Sequence, residues 1–365
     1  MTSRCALREW AGVTLLDSLR YGSALYAPWR RADAWTRLCN RIERLTENPN
    51  GRGLRCEWKW GSDLHAPTVW PSWGRRLLDV ALAEWPIRFA GAPVSRSGTT
   101  VSFVFAHAGA DRFPQLLSTL SSVFAQTDVQ VECVVVDQSP EPLEALLPRG
   151  VVYHHLDKRH CEPGWHKSWA YNVGARMASG DILVFHDGDI CAPERYAAEV
   201  VRSIHHDGYQ AVSLQRFLYC LDEPSTARLE ELDDIPADVK VSRVYQNWKG
   251  GTIALEREVF FAVGGFDEGF VDWGGEDDEF YHRCQVIRHC RYGYLPFVHL
   301  WHAPQAGRHR LGNANVERIL PERLDVPASV RRDELARRDP GQWDQPDPAL
   351  SYRSRLSRVE GAGVA

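Results

Sequence analysis

GDILVFHDGDI, residues 180–190, gives the clearest indication of the fold class. Its apolar run ILVF predicts a buried strand, and Asp187 and Asp189 follow it with Gly188 between them, where the chain can turn. Two carboxylates at the end of a strand can hold a hard divalent cation through oxygen. An isolated Asp-x-Asp is more often a solvated acidic turn. The flanking sequence is therefore needed to distinguish a cation site from such a turn.

Runs typical of strands alternate with runs typical of helices on the amino-terminal side of this stretch. The predicted strands are TVSFVFAHA (100–108), VECVVVDQSP (131–140) and VVYHHLD (151–157), and the predicted helices are DRFPQLLSTLSSVFAQT (111–127) and WHKSWAYNVGARMAS (165–179). This alternation predicts an α/β fold in which a mostly parallel central sheet has helices on both faces. Ligands bind at the carboxyl edge of such sheets, where we expect His107, Asp137, Asp187 and Asp189.

The remaining chain divides into two flanking parts. Residues 1–97 form a tryptophan-rich extension that is predicted to be mainly helical, with helices over 32–45 and 73–85 and a linker at 91–98. Residues 98–315 are predicted to form the α/β domain. Residues 316–365, rich in Arg, Asp and Pro, are expected to be a peripheral and partly disordered tail.

Composition narrows the class of protein. The 365 residues include 43 basic and 48 acidic side chains, a net charge of −5, which provides no electrostatic footprint for nucleic acid. No apolar run approaches the ~20 residues that span a bilayer, and MTSRCALREW lacks the apolar core of a signal peptide. Nine cysteines without a CxxC indicate reduced thiols, and together these features predict a cytoplasmic location.

A second unusual block lies at 247–280, where NWKGGTIAL, VGGFDE and WGGEDDEF follow one another. EDDEFYHRCQVIRH (276–289) predicts a helix, so four acids fall in its first turn. There the helix dipole and free N–H groups are expected to keep them ionised near neutral pH. The two glycines before them would let the backbone approach a ligand closely. Glu279 is expected to be a solvated helix residue.

These blocks carry a family resemblance that covers roughly residues 99–310. TVSFVFAHA, VVVDQS and KSWAYNVGARMASGDILVFHDGDICAP resemble the nucleotide-binding half of a GT-A glycosyltransferase, family 2-like. GGTIALEREVFFAVGGFDEGFVDWGGEDDEFYHR resembles the carboxyl-terminal motif of the β-1,4-galactosyltransferase and chondroitin-polymerase group. The resemblance implies a Rossmann-like GT-A fold and transfer of a sugar from a nucleotide-sugar donor, UDP-linked, to a nucleophile of an unidentified glycan, peptide or small-molecule acceptor.

The resemblance also implies which residues bind the donor. The implied positions are Ala106, His107, Asp137, Lys167, Asn172, Asp187, Gly250 and Gly251. Ala106 and His107 would read the uridine and Asp137 would contact the uracil, although this chain has DQS where many relatives have DDGS. Lys167 would face the donor, with an ordinary surface lysine as the alternative interpretation.

A metal site is implied by Asp189 together with a histidine of PFVHLWHAP (296–304). Carboxylate and imidazole ligands suit Mn²⁺, with Mg²⁺ as the alternative ion. A spacing of three residues along an extended segment is expected to turn the rings of His299 and His302 in different directions, so only one would bind. We favour His302, with His299 as the alternative. Both histidines could instead cap the strand end by hydrogen bonds.

The resemblance places catalysis in WGGEDDEF. Asp277 would be the general base, Glu276 and Asp278 would hold hydroxyls, and Trp273 would stack on a sugar face. Retaining relatives carry Asn at the position of Asp277, so the aspartate predicts inversion of the anomeric centre. A retaining enzyme of the polypeptide GalNAc-transferase type and a non-catalytic nucleotide-sugar-binding module are the alternatives, and the acids could also serve only the helix dipole.

Overall fold

The computed structural model describes residues 3–28, 32–56, 62–92, 100–157, 164–229, 233–246, 250–303, 313–342 and 352. The α-helices are α1 (Ser3–Tyr26), α2 (His65–Val69), α3 (Pro71–Glu84), α4 (Phe113–Phe124), α5 (Lys167–Met177), α6 (Tyr196–Val201), α7 (Glu223–Ala227), α8 (Arg257–Ala262), α9 (Glu276–Arg283), α10 (Leu320–Asp325) and α11 (Ala328–Ala336). The strands are β1 (Leu45–Glu47), β2 (Leu54–Cys56), β3 (Ser62–Asp63), β4 (Thr100–His107), β5 (Gln130–Asp137), β6 (Val151–His155), β7 (Ile182–His186), β8 (Ile190–Cys191), β9 (Ala211–Val212), β10 (Gln215–Leu221), β11 (Val241–Gln246), β12 (Thr252–Glu256), β13 (His289–Cys290) and β14 (Leu295–His299). Within the segments just given, no helix is both long and apolar enough to cross a bilayer.

The central sheet has seven strands in the order β13-β9-β12-β7-β4-β5-β6. Strands β7, β4, β5 and β6 run parallel, and β9 and β13 form another parallel pair. β12 alone runs against both of its neighbours. The predicted mostly parallel sheet is therefore confirmed, and the four strands expected from the sequence are all present in it.

Both faces of this sheet are buried. Successive side chains of a strand point to opposite faces, so neighbouring residues of one strand belong to different cores. Phe103 of β4 belongs to one apolar core with α4, while Val104 belongs to another core with α5, α8 and α9. Near-continuous apolar sequence is what a strand covered on both sides requires. The prediction of helices on both faces is thus confirmed, and α5 and α9 are set against the same face.

The amino-terminal residues are part of the same body as the central sheet. A second sheet has the order β3-β11-β10-β14-β8, so β3 of the extension is one of its edge strands. Residues of α1 and α3 share one continuous apolar core with β4 and β10. The helix predicted over 73–85 is confirmed in α3, whereas 32–45 forms only a short 3₁₀-helix (Ala32–Arg37), a loop and the start of β1. The long helix α1 was not expected from the sequence.

The carboxyl-terminal part differs from the peripheral tail expected beyond residue 316. Residues 315–336 are almost entirely helical, and Arg331 of α11 is fully buried where it meets Glu279 of α9. Arg323 pairs with the buried Asp267 at 3.1 Å, and Tyr352 donates a hydrogen bond to the same carboxylate. Residues 343–351 and 353–365 lie outside the described part of the chain. The segment up to 342 is therefore a structural support of α9.

Glu279 also corrects the expectation of a solvated helix residue. It has no exposed surface, and its carboxylate accepts hydrogen bonds from Arg283 (Nη2 to Oε2, 2.7 Å) and from Arg331. Burial acts to raise the pKa of Glu279, but the guanidinium groups of Arg283 and Arg331 have a larger, opposite effect. The pKa of Glu279 therefore lies below its ordinary value. The acid thus joins α9 to α11.

We expect Glu279→Gln to destabilise the protein by about 3–5 kcal/mol, because removing one partner leaves buried charge uncompensated. Chemical denaturation monitored by circular dichroism measures this loss. Asp234→Asn is the matched control, since the Asp234–Arg88 pair is 56% and 50% exposed and such pairs contribute at most about 1 kcal/mol. Equal midpoints for the two variants would contradict a structural role for the buried cluster.

Candidate functional site

The carboxyl ends of β4, β5 and β7 lie side by side because these strands are parallel neighbours. His107 and Asp137 are register partners at the ends of β4 and β5, and Asp187 follows directly after β7. Asp187 N donates to Gly251 O at 2.8 Å, which fixes the chain as it turns toward Asp189. The structure therefore brings the predicted acids to one edge of the sheet.

Asp189, His299 and His302 form a compact cluster at this edge. His299 ends β14 and pairs with Ile190, the neighbour of Asp189, in an antiparallel bridge. Nε2 of His302 lies 3.2 Å from Asp189 Oδ2, and Nε2 of His299 lies 3.8 Å from Oδ1. One potential ligand atom from each residue lies within 4.8 Å of the others. The expectation that the two rings turn in different directions is therefore wrong, because both face the same carboxylate.

The donor set of this cluster suits a divalent transition metal. Two imidazoles and one carboxylate are a combination that Mn²⁺-class ions accept, and the three side chains are only partly buried. Burial acts to raise the pKa of Asp189, but His299, His302 and Arg112 outweigh it, so its pKa lies well below the ordinary value. The carboxylate is thus ionised and available as a ligand.

A second cluster is centred on Lys167, the first residue of α5. Its Nζ lies 2.9 Å from Asp277 Oδ2, 3.0 Å from Asp187 Oδ1 and 3.5 Å from Glu276 Oε1. Burial acts to lower the pKa of Lys167, but Asp187 and Asp277 raise it well above the ordinary value. The lysine is mostly buried and cationic, so it is not the exposed surface lysine of the alternative interpretation.

Asp277, which accepts a hydrogen bond from Lys167, has a raised pKa. Burial raises the pKa of Asp277 to about 7, the nearby charges of Glu276 and Asp187 add to this, and Lys167 opposes it. The expectation that the position at a helix start keeps this acid fully ionised at neutral pH is therefore wrong. A carboxyl group that titrates near neutrality is suited to accept a proton in catalysis.

The glycines of WGGEDDEF have a conformational reason. Gly274 and Gly275 have φ angles of 101° and 92°, where residues with a Cβ are strained. A Cβ on Gly274 would lie 2.9 Å from Val316, and one on Gly275 would lie 2.7 Å from Phe270. Close packing within the chain thus accounts for both glycines, whereas the sequence suggested room for a ligand. The turn leaves Trp273 40% exposed.

Gly251 and Asp277 line one narrow pocket, which brings the predicted donor-sugar loop and the predicted base together. Aromatic rings supply much of the remaining lining, including Tyr171 and Phe280. Gly251 has a φ angle of 92°, a conformation that residues with a Cβ rarely adopt, so this turn favours glycine; a Cβ there would also contact the tip of the Ile190 side chain. Gly250 is partly exposed beside it, as is Asp278, one residue beyond the base.

Glu276 stands apart from the other acids at the start of α9. Its side chain is buried, and its Oε2 has no hydrogen-bond partner in the described segments. Its Oε1 faces Lys167. Glu276 therefore carries a buried acceptor oxygen that the described residues leave unsatisfied, and its role in holding a hydroxyl stays a prediction.

Two predicted donor-binding residues instead have internal roles. Asn172 Nδ2 donates to Phe266 O at 2.9 Å and to Glu268 Oε1 at 2.8 Å, while its Oδ1 accepts from Phe266 N. The fully buried side chain therefore joins α5 to the loop before α9. We correct its assignment from donor contact to loop support.

Asp137 is likewise fully buried. Its Oδ1 accepts hydrogen bonds from Ser139 N (2.8 Å) and Oγ (2.6 Å), and its Oδ2 accepts one from Tyr153 at 2.8 Å. These bonds hold the turn after β5, so the implied uracil contact is not available to this carboxylate as it stands. At the end of β4, His107 keeps a buried Nε2 without a partner in the described residues, and Ala106 is partly exposed.

Sequence reasoning missed two polar residues of the site. Tyr171 donates to Asp187 Oδ1 at 3.0 Å, and Arg112 lies 3.4 Å from Asp189 Oδ2. The spacing of four residues between Lys167 and Tyr171 places both on one helix face, so that signal was present. Arg112 precedes α4 and reaches the site only through the tertiary fold.

Parts of the chain are similar in sequence to known glycosyltransferases. Residues 111–268 match the model of the family described as Glycosyl transferase family 2. The chain is 30% identical over 149 residues to a validoxylamine A glucosyltransferase of Streptomyces hygroscopicus subsp. jinggangensis (strain 5008), covering 33% of this chain and 35% of that protein. It is 25% identical over 245 residues to a probable N-acetylgalactosaminyltransferase 9 of Caenorhabditis elegans, covering 57% of this chain and 40% of that protein.

A crystal structure of GalNAc-T7 with UDP, GalNAc and Mn²⁺ is also similar, with a TM-score of 0.41 and 20% identity over 57% of this chain and 45% of that one. The chain thus spans about a third to two fifths of the length of these two curated relatives.

Proposed function

We propose that the protein is an inverting, metal-dependent glycosyltransferase that moves a sugar from a nucleotide-sugar donor, a UDP-sugar, to an acceptor nucleophile. The observation that carries this proposal is the pair of clusters at one sheet edge. A cation-binding set on Asp189 adjoins a base, Asp277, that titrates near neutrality. The family 2 match of residues 111–268 supports the reaction class.

On the donor side, Asp189, His299 and His302 would hold Mn²⁺, or Mg²⁺ as the alternative. When bound, the ion supplies positive charge to the leaving diphosphate. Lys167 provides a further cation, and Gly250 and Gly251 would lie beneath the donor sugar, as the family resemblance implies; Gly251 lines the same narrow pocket as Asp277. His107 and Ala106 lie at the neighbouring strand end, where the nucleoside would be placed.

On the acceptor side, Asp277 would take the proton of the attacking hydroxyl or other nucleophile. As the acceptor oxygen bonds to the anomeric carbon, the bond from that carbon to the diphosphate oxygen breaks on the opposite face, which inverts the configuration. Glu276 and Asp278 would orient hydroxyl groups. Trp273, with its exposed ring, would stack on a sugar face.

The direct test is a panel of UDP- and GDP-sugars incubated with the protein and Mn²⁺, with release of the nucleoside diphosphate as the readout. We expect slow hydrolysis of one donor, followed by transfer once an acceptor is supplied. NMR of the product then reports the anomeric configuration. A retained configuration would refute inversion, and binding of donors without any turnover would refute the enzymatic proposal.

The pH dependence follows from the raised pKa of Asp277. Because the base must be deprotonated, kcat/KM is expected to fall about tenfold per pH unit below about pH 7 and to level off above it. Initial rates of donor turnover between pH 5 and pH 9 at saturating Mn²⁺ measure this profile. A profile that is flat down to pH 5 would contradict the raised pKa.

His299→Ala and His302→Ala distinguish a two-ligand from a three-ligand metal site. Since both rings face Asp189, each variant is expected to raise the Mn²⁺ concentration needed for half-maximal activity by roughly 10- to 100-fold. Mn²⁺ titrations of activity measure this shift. An effect confined to His302→Ala would return the site to the single histidine favoured by the sequence alone.

A further inference from the structure

Lys167 is a single cation shared by the two sides of the proposed site. Its contact with Asp187 lies on the donor side, and its contacts with Asp277 and Glu276 lie on the acceptor side. The hydrogen bond to Asp277 occupies Oδ2, one of the two oxygens that could receive the acceptor proton. The proposed base is therefore engaged by the lysine in this arrangement.

The number of N–H donors limits how many anionic groups Lys167 can bind at one time. An ammonium group has three N–H donors, and three carboxylates surround this one within 3.5 Å. A diphosphate cannot be added to this set unless one contact is released. Asp187 has two further hydrogen bonds that hold it in place, because Tyr171 donates to its side chain and its backbone N–H donates to Gly251 O. The contacts that can yield are those to the acids of α9.

We propose that the donor diphosphate draws Lys167 away from Asp277, so that Asp277 Oδ2 becomes free to accept a proton only after the donor has bound. Lys167 is then a positioning residue that couples the two half-sites. This inference rests on the proposed function, because it requires a diphosphate at the Asp187 side. It also explains why a buried lysine is placed among three acids.

A double-mutant cycle on UDP affinity tests the coupling. Isothermal titration calorimetry with UDP and Mn²⁺ is performed on the wild type, Lys167→Met, Asp277→Asn and the double variant. Asp277→Asn is expected to bind UDP roughly fivefold more tightly, because the competitor for Lys167 loses its charge. Lys167→Met is expected to bind roughly tenfold more weakly, and Asp277→Asn should have no further effect in that background.

The cycle separates coupling from simple repulsion between Asp277 and the anionic ligand. If repulsion were the cause, Asp277→Asn would tighten UDP binding by the same factor in the wild-type background and in the Lys167→Met background, and that result would overturn the proposal. Asp278→Asn removes the same charge one residue further on, and an equal gain in that variant would also overturn it. Lys240→Met, at a lysine whose side chain is 72% exposed, controls for loss of a distant positive charge.

A conservative variant and a check of folding complete the experiment. Lys167→Arg retains the cation and is expected to bind UDP and to keep the Asp277→Asn effect, and circular dichroism checks the fold of every variant. UDP binding that Asp277→Asn leaves unchanged would overturn the coupling while leaving the proposed function intact. Failure of the folded wild type to bind either UDP or GDP with Mn²⁺ would overturn both.

Discussion

Asp277→Asn is expected to lower sugar transfer by roughly 10³-fold, within the range that general base catalysis contributes. Asparagine keeps the size of the side chain and its place at the start of α9 but cannot accept the proton. The loss should appear in kcat, because the variant retains the proposed metal ligands Asp189, His299 and His302 and the proposed diphosphate partner Lys167. Initial rates with Mn²⁺ and the active donor measure it.

The matched control for this variant is Asp238→Asn. Asp238 is an exposed acid paired with Arg228 and lies far from α9 in sequence, so the same chemical change should leave transfer unchanged. Undiminished transfer by Asp277→Asn would show that another group is the base. If the variant still transfers sugar and the product keeps the anomeric configuration of the donor, the result would favour the retaining mechanism of the alternative interpretation.

Removing the metal is expected to have an effect of similar size. EDTA should abolish turnover, and Asp189→Asn should lower it by roughly 10²–10³-fold, which corresponds to the several kcal/mol that a bound cation contributes. Restoration by added Mn²⁺ should follow chelation in the wild type. Full turnover in the presence of EDTA would remove the metal site from the mechanism.

The sequence predicted the four parallel strands β4, β5, β6 and β7 of the central sheet because their signals are local, whereas β9, β12 and β13 were not predicted. The apolar runs around β4, β5 and β7 are continuous, and each ends in a polar residue at the carboxyl edge. The second sheet was not predicted. β10 pairs with β11 and β14, which begin 20 or more residues further along the chain. No short-range sequence pattern therefore predicts these strand pairings.

The errors in the site share a physical cause. Asn172 and Glu279 are polar residues in helices, and whether such a residue meets ligand, solvent or another buried group depends on elements distant in sequence. Glu279 forms an ion pair with Arg331, which lies 52 residues further along the chain. The side chain of Asn172 uses its hydrogen-bonding groups on the loop at 266–268. The pKa of Asp277 was misjudged for the same reason, since burial outweighs the local helix start.

Strand β3 has a consequence for how the protein can be divided. Ser62 and Asp63 pair with Gln246 and Tyr245 at the end of β11, and two further strand pairings lead from β11 through β10 to His299 at the end of β14. Cutting the chain near residue 98 would remove this edge strand and the helices that complete the core behind it. The segment that matches the family 2 model, residues 111–268, therefore shares its core and its second sheet with residues that precede it, and we expect that it does not fold without them.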